Sequence, residues 1–224
     1  MSQSEISPAT PLSVADVVAV LRAAAPPELA EPWDSNQLIC GDPAEPVASV
    51  LLAVDPVTAV VDEAIERGAD MVITHHPLYL RGTDQVSATD PKGRSVHRLI
   101  RAGIALANAH TTLDAAHGGV AAALAAAVGV LAAVPLEPDP HDPTQGIGRI
   151  GDLQCPTRLR DLAVAVASAL PDSAPGLLVG GDLDATVETV AVSGGAGDSL
   201  LAAARSAGAD AFLTADLRHH PASE

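Results

Sequence analysis

The sequence predicts an α/β fold in which short apolar strands alternate with helices. The apolar run at residues 47–54 is followed by a helical pattern at residues 57–67. Gly68 then precedes a second apolar run, Met71-Val72-Ile73. A third run at residues 104–107 is followed by another helical pattern at residues 118–129. Strand, helix and strand in this order are typical of parallel β-α-β units.

The composition suits a folded globular protein and excludes several classes of partner. The chain has 224 residues, of which 48% are hydrophobic and 18% charged. Aromatic residues are nearly absent, so alanine, valine and leucine must fill the core. The formal net charge is −16, with no block of lysine or arginine. This charge argues against binding to nucleic acid or to an anionic membrane surface.

The cysteines and the N-terminal residues indicate a cytoplasmic protein. Cys40 and Cys155 are far apart and show no C-x-x-C pattern, so we expect reduced thiols and no disulfide framework. No basic residue precedes Arg22 and no early apolar segment follows the first methionine, so no signal peptide is expected. The uncharged residues 120–136 fall short of a membrane span and are better explained by a packed helix.

The first helix is expected to begin after Ser13. Ser13 and Asp16 have the spacing of a capping box, and apolar residues recur at helical spacing as far as Leu21. Pro26-Pro27 should end this helix. The next helix, at residues 57–67, should end at Gly68, since glycine is favoured just beyond a helix.

Residues 135–148 predict a domain boundary. This segment contains four prolines and no periodicity, as a linker or a long surface loop would. We therefore expect an N-terminal α/β half at residues 1–134 and a second half at residues 149–224. The second half should open with a helix at residues 157–170.

An offset of 140 residues relates two segments of the chain. It carries Gly68-Ala69-Asp70 onto Gly208-Ala209-Asp210 and Thr74 onto Thr214. Duplication of one strand-helix-strand block explains this better than chance similarity between two β-α-β units. After the second strand the copy has Ala215-Asp216, so the histidine pair of the first block is a local addition to the repeated scaffold.

Histidine and carboxylate side chains follow two predicted strands. His75-His76 comes at the end of one strand, while His110 follows the next and precedes Asp114. Side chains at the carboxyl ends of parallel strands line the ligand crevice, and imidazole with carboxylate suits zinc or another divalent transition metal. Adjacent strand residues point to opposite faces, so the two histidines would more easily serve two neighbouring ions than share one. His110 could instead be a base or an orienting group, and Asp114 could cap the following helix.

The remaining motifs give weaker evidence for a functional site. Residues 193–197, Ser-Gly-Gly-Ala-Gly, lie between a predicted strand and a helix, where backbone N–H groups can hold a phosphate. They match neither the P-loop nor the dinucleotide pattern, so a tight turn is favoured. His97, His117 and His141 have no partners in the sequence and are interpreted as surface residues.

Five motifs together resemble a known family. They are E-P-W-D-S-N-Q-L-I-C-G-D from Glu31, A-V-D-P before a helix, G-A-D-M-V-I-T-H-H-P, N-A-H-T-T-L-D-A-A-H-G-G-V, and G-A-D-A-F-L-T-A-D-L-R-H-H. In this order they are similar to the Nif-three-like dinuclear-metal family, whose bacterial members are often called GTP cyclohydrolase I type 2 homologs. The resemblance runs from about Val14 to the end of the sequence.

The resemblance implies two similar, interleaved α/β halves with mixed sheets flanked by helices. It also implies two divalent ions per subunit, such as zinc, manganese or iron, and a cytosolic homo-oligomer, usually a hexamer. His75, His76 and Asp114 match the family's metal ligands, and His110 matches the histidine beside the site. Family members carry further ligands on a later Gly-His-x-x-x-Glu strand, which we expect to be missing here. His220 and Glu224 reproduce its spacing, but they align with an earlier family segment.

Two functions are compatible with these residues. The first is a metal-dependent hydrolase acting on a nucleotide or a phosphoester, in which the ions activate water and His110 moves the proton. The alternative is a metal-binding, ring-forming scaffold that binds a partner without turnover. A chain lacking two ligands could also be inactive.

Overall fold

The computed structural model describes residues 11–223, which divide into two compact units at Thr112 and Leu113. Each unit contains a four-stranded mixed sheet and helices, which confirms the predicted α/β class. Among the described residues, every helix is too short or too polar to cross a lipid bilayer.

From residue 11 onward, the first unit contains six strands and three complete helices. The strands are β1 (Leu12–Ser13), β2 (Leu38–Cys40), β3 (Pro46–Val47), β4 (Val50–Ala53), β5 (Met71–Thr74) and β6 (Ala105–Asn108). The helices are α1 (Val14–Ala24), α2 (Thr58–Arg67) and α3 (Pro91–Ala102). A short 3-10 turn at Pro27–Leu29 follows α1.

The first sheet has the order β2-β6-β5-β4, in which β6, β5 and β4 run parallel to one another. The register aligns Ala53, Thr74 and Asn108, the last residues of β4, β5 and β6. Their carboxyl ends therefore meet at one edge of the sheet. The antiparallel strand β2 pairs with the other side of β6.

The ends of the helices follow the sequence signals. Ser13 and Asp16 form the predicted capping box at the start of α1. Gly68 adopts a left-handed conformation, with φ 63°, at the end of α2. Helix α3 was not among the predicted elements; Asp90 caps it by accepting hydrogen bonds from the backbone N–H groups of Lys92 and Gly93.

The second unit has four strands in the order β10-β9-β8-β7. These strands are β7 (Leu131–Pro138), β8 (Gly146–Arg158), β9 (Thr186–Val192) and β10 (Ala211–Leu213). Helix α4 (Thr111–Ala115) spans the boundary between the units, and the further helices are α5 (Val120–Ala127), α6 (Leu159–Ala169), α7 (Leu201–Ser206) and α8 (His219–Ser223). In this sheet β9 and β10 pair in parallel, whereas β7–β8 and β8–β9 are antiparallel pairs.

Residues 135–148 were predicted as a linker, but the structure forms a β-hairpin there from the end of β7 and the start of β8. Pro135 and Pro138 are paired residues of β7. Because β7 is the edge strand of its sheet, prolines without an N–H can be accommodated. The predicted helix at residues 157–170 begins two residues late, since β8 runs to Arg158.

The internal repeat is visible in matching hydrogen bonds. Asp70 accepts from the backbone N–H groups of Ala48 and Ser49, at 2.8 Å each. Asp210 accepts in the same way from Glu188 and Thr189, at 2.9 and 3.0 Å. These backbone donors hold the pKa of both carboxyl groups below the ordinary value. The two aspartates thus make matching contacts with backbone N–H groups in the two units.

Replacing Asp70 by alanine should lower the free energy of unfolding by about 1 kcal/mol at pH 7, since charge-assisted bonds to two N–H groups are lost. A carboxyl group with a lowered folded-state pKa stabilises above its unfolded value, near 4, and loses this effect as the pH falls further. The difference between wild type and Asp70→Ala should therefore shrink below about pH 4. Urea unfolding across this pH range measures it, and a constant difference would contradict the explanation.

Candidate metal centre

The aligned ends of three parallel strands bring the candidate residues together. Asp55 follows β4, His75 and His76 follow β5, and His110 follows β6. The Thr74 hydroxyl donates to the carbonyl of His76, at 2.8 Å, where the chain turns out of the sheet.

The side chains of His75, His76 and His110 form a compact cluster. Each contributes one ring nitrogen to a group whose members all lie within 4.8 Å of one another, a spacing that could hold a metal ion. Their ring centroids are 5.0–5.4 Å apart. All three are partly buried. The sequence analysis placed His110 beside the site, and the structure places it within the histidine cluster.

The hydrogen bonds of the three rings set their tautomers. His75 Nδ1 lies 3.1 Å from the carbonyl oxygen of Ala109, which can only accept. His76 Nδ1 lies 2.7 Å from Asp55, and His110 Nδ1 lies 2.7 Å from Asp34. Each Nδ1 therefore donates, and in a neutral ring the lone pair is left on Nε2. Metal-ligating histidines are commonly oriented in this way.

Asp34 is the centre of a buried hydrogen-bond network. Its Oδ1 accepts from the backbone N–H of Ser35 and from His110. Its Oδ2 accepts from the amide of Asn36 and from both the backbone N–H and the hydroxyl of Thr111. The carboxylate side chain is fully buried. Burial alone would raise its pKa, but these donors outweigh that effect and hold the pKa of Asp34 well below its usual range.

Asp55 orients His76 from a more exposed position, with 57% of its side chain accessible. Sequence analysis did not select either carboxylate. Asp55 follows a parallel strand at the same sheet edge as His76, so the strand-end rule could have found it. Asp34 lies in an irregular segment far from His110 in the sequence, and no periodic pattern marks it.

Asp114 lies on α4 and belongs to the second unit. Its Oδ1 lies 3.5 Å from the position that a Cβ on Gly194 would occupy. Its role as a ligand, like the roles of His75, His76 and His110, stays a prediction from the sequence.

The other candidates lie elsewhere. His220 is on α8 with its ring 5.3 Å from that of His219, and Glu224 is outside the described residues. Residues 193–197 form a turn, in which Gly195 has φ 60° and the N–H of Gly197 donates to the hydroxyl of Thr214. The turn interpretation is therefore favoured over a phosphate loop.

The cysteines do not contribute to the centre. Both are free thiols in the structure. Burial raises the pKa of Cys40 to about 11, so this thiol stays neutral at physiological pH. The donors assembled at the strand ends are therefore imidazole nitrogens, which suit zinc, iron and similar divalent ions.

The sequence matches one family model along nearly its whole length. Residues 12–224 match the model described as Duf34/NIF3 (NGG1p interacting factor 3). The chain belongs to the Duf34/NIF3 family. The family resemblance inferred from the histidine motifs is thereby confirmed.

Individual relatives agree with this assignment. A Streptomyces coelicolor protein named GTP cyclohydrolase 1 type 2 homolog is 53% identical, over 94% of this chain and 75% of its own length. A Mycobacterium tuberculosis protein of the same name is 35% identical, over 94% of this chain and 83% of its own. The crystal structure of the Staphylococcus aureus hypothetical protein SA1388 matches with a TM-score of 0.87 and 27% identity, covering 96% of this chain and 82% of that one.

Proposed function

We propose that this protein binds divalent metal ions and acts as a metal-dependent hydrolase on a nucleotide or a phosphoester. The observation that carries the proposal is the histidine cluster, in which three imidazoles converge and each Nδ1 is already held by an oxygen acceptor. Relatives named as GTP cyclohydrolase homologs support the nucleotide as substrate.

The proposed ligands are His75 and His76, with Asp114 as the carboxylate predicted from the sequence. Two ions per chain are proposed, because neighbouring residues at a strand end can each bind a separate ion. Zinc, manganese and iron all accept nitrogen and oxygen donors. His110 is either a further ligand or the group that moves a proton.

Bound divalent ions would lower the pKa of a water molecule and polarise a carbonyl or phosphoryl oxygen of the substrate. His110 is suited to the accompanying proton transfer, since Asp34 holds its ring through Nδ1 and leaves Nε2 as the base. After proton uptake, the buried carboxylate of Asp34 would stabilise the imidazolium, as a carboxylate beside a catalytic histidine does.

The alternative function is a metal-binding scaffold that assembles into a ring and binds a partner without turnover. The family description as an interacting factor favours this candidate. We propose homo-oligomers, of six subunits by the family resemblance, for either function. Val50, Leu52 and Val54 support self-association, because they are exposed apolar residues on and beside the edge strand β4.

Removing single ligands should lower the metal content of the purified protein. We expect His75→Ala, His76→Ala and Asp114→Ala each to lose at least half of the bound metal after dialysis. His141→Ala should keep the wild-type content, because His141 lies in the turn between β7 and β8. Elemental analysis measures this result. Wild-type metal content in all three ligand variants would refute the assignment.

The two functions predict different effects of the same substitution. If the protein is a hydrolase, metal-loaded wild type should turn over GTP or a phosphodiester, and His76→Ala should abolish that turnover. If it is a scaffold, partner binding should survive His76→Ala and no turnover should occur in the wild type.

A further inference from the structure

A cavity of about 710 Å³ opens in the first unit, and Asp34, which holds His110, contributes to its wall. A volume of this size lies within the range of small-molecule and cofactor sites. Two segments contribute most of its wall, residues 34–37 and residues 79–83. Val86 and Val96 add apolar surface from the following loop and from α3.

Both segments are joined to the proposed metal centre. Residues 79–83 follow His76 in the chain after Pro77 and Leu78. Asp34 lines the cavity and holds the ring of His110. Asn36, also in the wall, accepts a hydrogen bond from the backbone N–H of His110. A molecule in this cavity would therefore lie against Asp34 and Asn36, the residues that position His110.

The cavity wall carries an unpaired cation in a strongly acidic protein. Arg81 is exposed and makes no hydrogen bond or ion pair with any residue in 11–223. Lys92 lies nearby, with its Nζ 5.7 Å from the centroid of the Tyr79 ring. Most other arginines make an ion pair or a hydrogen bond; for example, Arg67 pairs with Glu63 and Arg98 with Asp62. An arginine that is left without a partner at a cavity can bind a phosphate through two parallel hydrogen bonds.

Two carboxylates near the cavity are already held by hydrogen-bond donors of the chain. The carboxylate of Asp34 is fully buried and accepts from several donors. Asp90 is occupied in capping α3. The rest of the wall combines the aromatic ring of Tyr79 and the apolar side chain of Ile39 with the amide of Gln37. Such a mixture suits a ring that is apolar on its faces and polar at its edge.

We propose that this cavity binds an organic phosphate of mononucleotide size, with its phosphate group at Arg81 and its ring against Tyr79 and Ile39. This inference rests on the proposed metal-dependent function where it assigns the class of substrate. Binding of the phosphate in the cavity does not itself require a metal.

The test compares Arg81→Gln with Arg101→Gln by calorimetric titration. Arg101 is the control because it is exposed in the last turn of α3 and lies outside the cavity wall. The probes are GMP, guanosine and inorganic phosphate. Each is titrated into metal-loaded protein and into protein stripped with EDTA, because a bound metal could itself attract phosphate. Metal content is measured on the same samples.

We expect GMP to bind wild type and Arg101→Gln equally and Arg81→Gln about tenfold or more weakly, as expected for the loss of a charge-assisted contact. Guanosine should bind weakly and equally to all three proteins, and inorganic phosphate should bind less tightly than GMP. The same order of GMP affinities in EDTA-stripped protein supports binding in the cavity. This holds even if substitution of the proposed metal ligands leaves the metal content unchanged. Equal GMP affinity of Arg81→Gln and wild type, or no saturable GMP binding by metal-loaded wild type, would overturn the inference.

Discussion

Replacing Asp34 by asparagine should lower the free energy of unfolding by about 3 kcal/mol or more, because a buried, fully bonded carboxylate loses its charge and part of its acceptors. Oδ1 of Asp34 accepts from the backbone N–H of Ser35, and Oδ2 accepts from that of Thr111. Whichever way the asparagine amide is turned, its NH₂ group faces one of these backbone donors. The substitution therefore places two donors against each other in a buried site.

The measurement is chemical unfolding in EDTA, so that metal binding does not contribute to stability. Asp55→Asn is the matched control, since Asp55 also bonds a histidine of the cluster but is more than half exposed. We expect this control to change the free energy of unfolding by less than about 1 kcal/mol. Equal effects of the two substitutions would show that the Asp34 network is not a special source of stability.

The substitutions Asp34→Asn and Asp55→Asn also distinguish an effect on stability from an effect on metal binding. Asp34 and Asp55 both hold a histidine Nδ1, so both substitutions should weaken metal binding. Outer-shell partners of this kind commonly contribute about 10–100-fold to metal affinity. A loss of metal in both variants, with a loss of stability only in Asp34→Asn, is the expected combination. Competition with a metal-sensitive dye measures the affinities.

The sequence was sufficient to place the histidines because parallel strands impose a simple rule. Apolar runs marked β5 and β6, and the residues just beyond them had to reach one edge of the sheet. His75, His76 and His110 are found together for that reason. The same rule, applied to β4, would have added Asp55.

Asp34 could not be found by such a rule. It lies in an irregular segment that the side chains of Asn36 and Asn108 hold against the end of β6, and β2, which follows, pairs with β6. Long-range contacts between irregular segments leave no periodic signal in the sequence. At residues 135–148 the composition predicted a linker or a long surface loop, because prolines on an edge strand resemble those of a linker.

Arg149, unlike the exposed Arg81, is a buried cation, and no carboxylate within residues 11–223 forms an ion pair with it. Its side chain is 2% exposed and donates to four backbone carbonyls in the second unit. Nη1 reaches Gly146 and Gly148, at 2.6 and 2.7 Å, while Nη2 reaches Ala115 and Ala116, at 3.4 and 2.9 Å. Burial lowers the pKa of Arg149, but an arginine remains charged at physiological pH. Its planar, forked shape lets one side chain join α4 to β8.

Replacing Arg149 by methionine should therefore lower the free energy of unfolding by about 3–5 kcal/mol. Exchanging buried ion pairs for apolar residues is often neutral, because both charged partners are removed. In Arg149→Met only the donor is removed. The acceptors are backbone carbonyls, which stay in place and lose their hydrogen bonds. Chemical unfolding measures the loss, and Arg160→Met is the control because Arg160 is an exposed residue paired with Asp184. A loss no larger than that of the control would contradict this account.

The substitution Arg149→Lys distinguishes the contribution of the positive charge to stability from that of the planar guanidinium. Lysine keeps the positive charge, but a single ammonium group cannot serve two separated pairs of carbonyls as a planar guanidinium does. We expect an intermediate loss of stability, with faster hydrogen exchange in α4 and at the start of β8. Asp114 lies on α4, immediately before the two alanines that Arg149 binds. If Asp114 is a ligand, this variant should also bind metal less tightly while retaining every proposed ligand, because the helix that carries Asp114 is no longer fixed.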